Sequence, residues 1–171
     1  SIFSTNGAIK ILTYNVDGNS VTGTDPTNWA VAAPQVQAIG RELQFFNPDI
    51  ITFNEIPSAY IWQMTNWVTA FLPGYFLATN STGDGFIQNV IASRFPIAFS
   101  ASRLKFSSLA AYGYTNSAFT RDLLEAQIAV PNWPLPLHVF VAHLKSTDSS
   151  TPQDDANKRA AMASAVSNYF A

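Results

Sequence analysis

Three polar side chains stand where apolar runs stop. Ile9-Lys10-Ile11-Leu12-Thr13-Tyr14 ends at Asn15, Asp49-Ile50-Ile51-Thr52-Phe53-Asn54 ends at Glu55, and Leu137-His138-Val139-Phe140-Val141-Ala142 ends at His143. A strand-end carboxylate such as Glu55 offers the hard oxygen donors that suit Mg²⁺ or Mn²⁺; a solvated strand end is the competing reading. Asn15 can donate to an oxyanion through its amide while its carbonyl accepts, or it can cap the turn toward Asp17 and Gly18. His143 can hydrogen-bond a phosphate, more strongly when protonated, although taken alone a satisfied core or rim histidine accounts for it better. Open sheets gather ligands at strand ends, so the three ends together define a candidate site.

Other chemistry-bearing residues read mainly as structural. Arg94, in Ser93-Arg94-Phe95-Pro96, is expected to tie loops together, and Arg121 with Asp122 reads as a structural or active-site-rim pair, a local ion pair being the simpler account. His138 lies too far inward along its strand. Lys145 and Lys158 either attract phosphate or are plain surface lysines. Asp17 could approach a metal, but nothing around it assigns that role. Asp154, Asp155 and Asn157 fall in a loop or at a helix start, where Asn157 would cap. Gly83 and Gly85 are not followed by the Lys-Ser or Lys-Thr of a phosphate loop.

The elements that must position these groups follow from pattern. β-Branched and aromatic residues mark strands over 8–14, 49–54, 75–79, 86–92, 97–105, 121–130 and 137–142. Val36, Ile39, Leu43 and Phe46 recur at helical spacing within a helix over 35–46, opened by Pro34 and closed by Asn47-Pro48. A second helix fits 59–71 and a third 157–169, with Met162, Val166 and Tyr169 or Phe170 on its apolar side. Residues 17–29 and 146–155 read as loops. Helix-separated strands, then clustered strands, then a helix describe an α+β chain with mixed sheets and outer helices.

A 171-residue chain supports one domain with a sizeable core, and 47% hydrophobic content with 23 aromatic residues argues against disorder. Only 12% of residues are charged, so Ser, Thr, Asn and Gln must carry much of the surface, a character that leans toward an exported protein. A net charge of −2 gives no broad electrostatic footprint for nucleic acid, yet it leaves room for gripping one phosphodiester where metal supplies the positive charge. Cysteine is absent, which removes disulfide and thiolate chemistry. No apolar run is long enough for a transmembrane segment.

Ile11-Leu12-Thr13-Tyr14-Asn15-Val16, Asp49 to Ile56, Asn89 to Ile97 and Val139 to Ser146 resemble successive blocks of the endonuclease/exonuclease/phosphatase superfamily, in family order and over most of the chain. The resemblance implies two facing mixed β-sheets flanked by helices, a four-layer α/β/β/α sandwich. It further implies a phosphoester hydrolase using Mg²⁺ or Mn²⁺, with Glu55 and Asn15 at the metal and His143 and Asn15 at the phosphate. Asn54 departs from the glutamine common in the family. The Gly-Asp-x-Asn and Ser-Asp-His segments, which carry the general base and further site residues in the family, are not among the 171 residues. Residues 1–171 therefore read as the N-terminal portion of one such domain. Its partners would be a phosphoester (nucleic acid, phospholipid or sugar phosphate) and a complementary C-terminal segment, or another copy meeting an exposed sheet edge. The rival implication is a non-catalytic binding or assembly protein that keeps the scaffold.

Overall fold

The computed structural model describes residues 8–18, 33–147 and 150–171. One sheet contains β1 (Ile11–Asn15), β2 (Ile50–Pro57), β3 (Phe76–Ala78) and β4 (Ile87–Ser93) in the order β1-β2-β4-β3. A second contains β5 (Ile97–Arg103), β6 (Leu123–Ile128) and β7 (Leu137–Ala142) in sequential order. The first sheet is mixed, since β1 runs parallel to β2 while β4 is antiparallel to both β2 and β3. In the second, the described strands are all antiparallel, where the sequence reading expected a mixed sheet, and sequential strands lie side by side.

Alternation along β2 and β4 builds two cores. Ile51, Phe53, Val90 and Ala92 face helices α1 (Pro34–Phe46) and α2 (Met64–Phe71), where Val36, Leu43, Met64 and Trp67 are fully buried. Ile50 and Ile91 face the other way, onto Leu124, Ala126, Ile128, Val139 and Val141 of the second sheet. The result is helices, sheet, sheet. On the far side, α3 (Pro152–Tyr169) packs Ala161, Met162 and Ala165 onto Leu109, Tyr114 and Phe119 of the long connection after β5. The ring of Phe140 meets those of Tyr169 and Phe170 edge-on. These layers make an α+β sandwich of two facing sheets flanked by helices.

Several details correct the sequence reading. The first apolar run, although apolar throughout apart from Lys10 and Thr13, forms an edge strand: β1 is the edge of its sheet, and Ile11 is half exposed. The segment before α2 is a 3₁₀ turn, Ser58–Gln63, rather than α-helix. Helix α3 starts at Pro152 after Thr151, so Asn157 lies within it and is not its cap. Proline at the first helical position explains the earlier start, since its missing N–H has no partner there anyway. Gly40 within α1 is required by packing, because a Cβ there would lie 2.5 Å from Cδ1 of Phe71 and nearer still to Cγ. Beyond Gly18, the loop expected over 17–29 lies outside the described residues, as do positions 148 and 149 of the later loop.

Candidate functional site

A bulge in β2 aims Glu55. Phe53 pairs with Val90 and Ile56 with Gln88, so Asn54 and Glu55 together oppose Asn89. Strict alternation would turn Glu55 toward the helices. The extra residue instead places Glu55 in the left-handed region at φ 65°, and Ile56 returns to the helix-facing core. Such a conformation costs a non-glycine residue roughly 1–2 kcal/mol. Close packing from Gly18 supports it, since a Cβ on Gly18 would sit 2.6 Å from Pro57 Cδ and closer still to the Glu55 carbonyl oxygen.

The three strand-end residues meet. Asn15 Nδ2 donates to Glu55 Oε1 at 3.0 Å, and the Asp17 backbone N–H donates to Asn15 Oδ1 at 2.9 Å. Parallel pairing of β1 with β2 sets Asn15 opposite Asn54 and so beside Glu55. From the second sheet, His143 Nε2 comes within 3.3 Å of the same Glu55 oxygen. Asn15 thus turns the chain toward Asp17, as one reading had it, and the same amide reaches the Glu55 carboxylate.

Arg121 completes the cluster. Its Nη1 lies 3.1 Å from His143 Nδ1 and 3.2 Å from Nε2, while its Nε donates to Asp84 Oδ2 at 2.9 Å. Burial first and the Arg121 charge second hold the His143 pKa below the usual histidine value, against the upward pull of Glu55 and Asp84. The imidazole is therefore neutral at pH 7. Arg121 Nη1 lies nearly as close to one ring nitrogen as to the other, so the Glu55 carboxylate, 3.3 Å from Nε2, is what assigns the ring proton to Nε2. Burial alone would raise the Asp84 pKa, but the Ile87 and Phe86 backbone N–H groups and Arg121 outweigh it and hold the carboxyl low. A fixed anion thus anchors the arginine that touches the histidine.

Buried polar residues under the cluster link the two sheets. Asn54 Nδ2 donates to Asn89 Oδ1 at 2.9 Å and to the Ala142 carbonyl at 3.3 Å; Asn89 Nδ2 donates to the Asp122 carbonyl at 3.2 Å. Asp122 is fully buried and accepts from Ser81 Oγ at 2.6 Å and from the Thr82 backbone at 3.1 Å. These partners offset the cost of burying amides and a carboxylate, and they fix the end of β7 that leads into His143. Asn54, the neighbour of Glu55, thus ties β2 to the opposite sheet through the Ala142 carbonyl and Asn89.

Sequence reasoning missed Asp84 and gave Arg121 the wrong partner. The expected Arg121–Asp122 pair does not form, because adjacent residues in extended chain point opposite ways: Arg121 turns to Asp84 and His143, Asp122 turns inward. Asp84, within a glycine-rich turn, carried no signal beyond its charge. Arg94 is structural as read, with hydrogen bonds to Asn47 Oδ1, the Pro48 carbonyl and Tyr75 Oη. His138 pairs with Glu125 at 3.1 Å on the outer face of the second sheet, away from the cluster. Asp154 accepts from Tyr114 and Asn116, and Asp155 pairs with Lys145.

Among the described residues, no group of three or more His, Asp and Glu side chains could hold a metal ion. A smaller donor set is present. The Glu55 side chain is 19% exposed, and its Oε2 accepts no hydrogen bond from the described residues. Mg²⁺ commonly binds through one or two carboxylates together with substrate phosphate and waters, so the open carboxylate with Asn15 beside it fits such an ion.

Solved structures share this fold. SmcL is similar at a TM-score of 0.64 and 17% identity, over 96% of this chain and 58% of its own. TDP2 from D. rerio, complexed with a single-strand DNA product, is similar at 0.57 and 18%, over 85% and 49%. An endonuclease/exonuclease/phosphatase from Beutenbergia cavernae is similar at 0.55 and 18%, over 88% and 42%. The chain thus has the endonuclease/exonuclease/phosphatase-type fold and spans roughly half the length of these proteins. No family model matches its sequence, and no curated protein matches it. Among the described residues no helix is long and apolar enough to cross a membrane.

Proposed function

We propose that this chain is the N-terminal portion of a single metal-dependent phosphoester hydrolase domain, acting as a phosphodiesterase or nuclease. The observation that carries the proposal is the meeting of Asn15, Glu55 and His143 at the ends of strands from both sheets, on a fold shared with TDP2 and with named endonuclease/exonuclease/phosphatase proteins. Glu55 holds Mg²⁺ or Mn²⁺ with Asn15 alongside. The bound ion supplies positive charge to the phosphate and to the departing oxygen.

The chain's own groups orient the ester. Neutral His143 presents its Nε2 proton to a phosphate oxygen, and Arg121 keeps the ring in place. The Asn15 amide is a second donor, and both act most strongly as charge develops on phosphorus-bound oxygens. A segment following Ala171 contributes the base that takes the proton from attacking water, together with further metal donors. General-base catalysis contributes roughly 10²–10⁴-fold, so the 171 residues alone turn over slowly or not at all. The DNA product bound to D. rerio TDP2 supports nucleic acid as one substrate class for the whole protein.

The deciding experiment is hydrolysis of bis-p-nitrophenyl phosphate and a single-stranded oligonucleotide by the protein encoded by the whole reading frame, with and without Mg²⁺ or Mn²⁺. Metal-dependent turnover that Glu55→Ala abolishes is expected. Turnover indifferent to both would overturn the proposal. The presence of one open carboxylate in the described cluster favours a second reading, a binding protein on the same scaffold. Phosphoester binding without metal dependence or turnover would select it.

A further inference from the structure

Beside His143 a cavity of about 260 Å³ is lined by Asp84, Thr120, Arg121, Lys145, Lys158 and Met162. It is smaller than the roughly 300–1,000 Å³ pockets that enclose drug-sized molecules, and three of its seven lining residues, which also include Phe86, are cationic. Two of those cations are matched. Arg121 pairs with Asp84 at 2.9 Å, and Lys145 with Asp155 at 3.1 Å.

Lys158 is not matched. It projects from α3, is 8% exposed, and makes no hydrogen bond or ion pair among the described residues. Burial first, then the neighbouring Lys145 and Arg121 charges, hold its pKa down; Asp154 and Asp155 only partly counter this. The lining cations outnumber the one lining carboxylate, Asp84, and a charged acceptor entering the cavity would meet that excess through charge-assisted hydrogen bonds. Arg121 reaches both places, since it lines the cavity and touches His143.

We propose that this cavity takes a second phosphate on the substrate, next to the one held at Asn15, Glu55 and His143, and that Lys158 is the residue that reads it. The inference rests on the phosphoester reading above and narrows it to esters bearing two neighbouring phosphates. A nucleic acid strand and a small bisphosphate both satisfy that chemistry.

Inorganic phosphate, titrated calorimetrically into the metal-free protein, tests the cavity without turnover. Lys158→Met keeps the side chain's length and removes its charge. It is expected to weaken phosphate binding by about ten-fold or more, the worth of one hydrogen bond to a charged group. Lys158→Arg is expected to retain binding, and His143→Gln to change it less than Lys158→Met does. In the unaltered protein the Lys158 Cε–H signal should shift with phosphate by NMR, which keeps the test independent of how the variants fold. Parent-like binding by Lys158→Met, a larger loss in His143→Gln, or an unmoved Lys158 signal would overturn the inference.

Turnover then identifies the source of the second phosphate. A fall in kcat/KM for Lys158→Met on a 5′-phosphorylated dinucleotide, with bis-p-nitrophenyl phosphate unaffected, points to a strand; the same pattern confined to propane-1,3-diyl bisphosphate points to a small bisphosphate. An equal fall on the single-phosphate ester, or no fall on either two-phosphate compound, overturns the assignment. Absence of all hydrolysis in the unaltered protein strikes the proposed function alone, because the phosphate-binding result stands without it.

Discussion

Replacing Arg121 with methionine removes the guanidinium between His143 and Asp84 while keeping most of the aliphatic stem. Two consequences follow from the distances. The Nε–Asp84 bond of 2.9 Å joins side chains that are 16 and 22% exposed. A hydrogen bond between charged groups contributes about 1.5–3 kcal/mol, and partial exposure screens it, leaving a loss of about 1–2 kcal/mol. Asp84 Oδ1 keeps its backbone donors at Phe86 and Ile87, and Oδ2, which loses Arg121, is left to solvent on a side chain that is 22% exposed.

The second consequence is electrostatic. Arg121 is the charge that lowers the His143 pKa, next in importance to burial, and Glu55 and Asp84 oppose it. Removing Arg121 leaves both carboxylates acting on the ring, so the His143 pKa must rise. Imidazole NMR titration reads this directly, with the His143 signal assigned by its loss in His143→Gln, and urea unfolding reads the stability change. An unchanged or lower His143 pKa in Arg121→Met would refute the claim that this contact sets the charge state of the site.

Gly18→Ala should cost roughly 1–3 kcal/mol as an overpacked contact and displace Glu55, seen as lost metal affinity with the Glu55 side chain itself intact. Trp67→Ala, at a fully buried ring whose Nε1 donates to the Val36 carbonyl at 3.1 Å, should destabilise by about 3–5 kcal/mol; a loss under about 1 kcal/mol would contradict the helix-facing core described here. His143 also makes stability depend on pH. Its folded pKa is lowered, so below the unfolded value of about 6.5 the unfolded chain binds the proton more readily. The stability from keeping His143 neutral is full above that pH and is lost as pH falls toward the folded pKa. His143→Gln should flatten this part of the profile, and an identical slope in the variant would disprove the linkage.

Much of the framework was legible because its pattern is local. Val36, Ile39 and Leu43 lie where helical spacing puts them, and β7 occupies Leu137–Ala142 as read. The convergence of Asn15, Glu55 and His143 was legible only through the order of the blocks, since each residue alone has a mundane explanation. The β2 bulge was not legible, because one extra residue leaves the apolar run intact and reveals itself only in pairing with β4. Arg121 was misassigned because its partner lies 37 residues away in a turn rather than next to it. The burial of Lys158 escaped for a related reason. It depends on α3 beginning at Pro152, within a stretch whose Ser, Thr and Asp content reads as loop.

Paramagnetic Mn²⁺ titrated into the isotopically labelled protein gives the most direct test of the cation position beside Glu55, and it works whether or not the chain turns over. Selective broadening of the Asn15 side-chain amide and the His143 imidazole is expected, with loss of that selectivity in Glu55→Gln. Broadening centred on Asp154 and Asp155, or none that depends on Glu55, would contradict it.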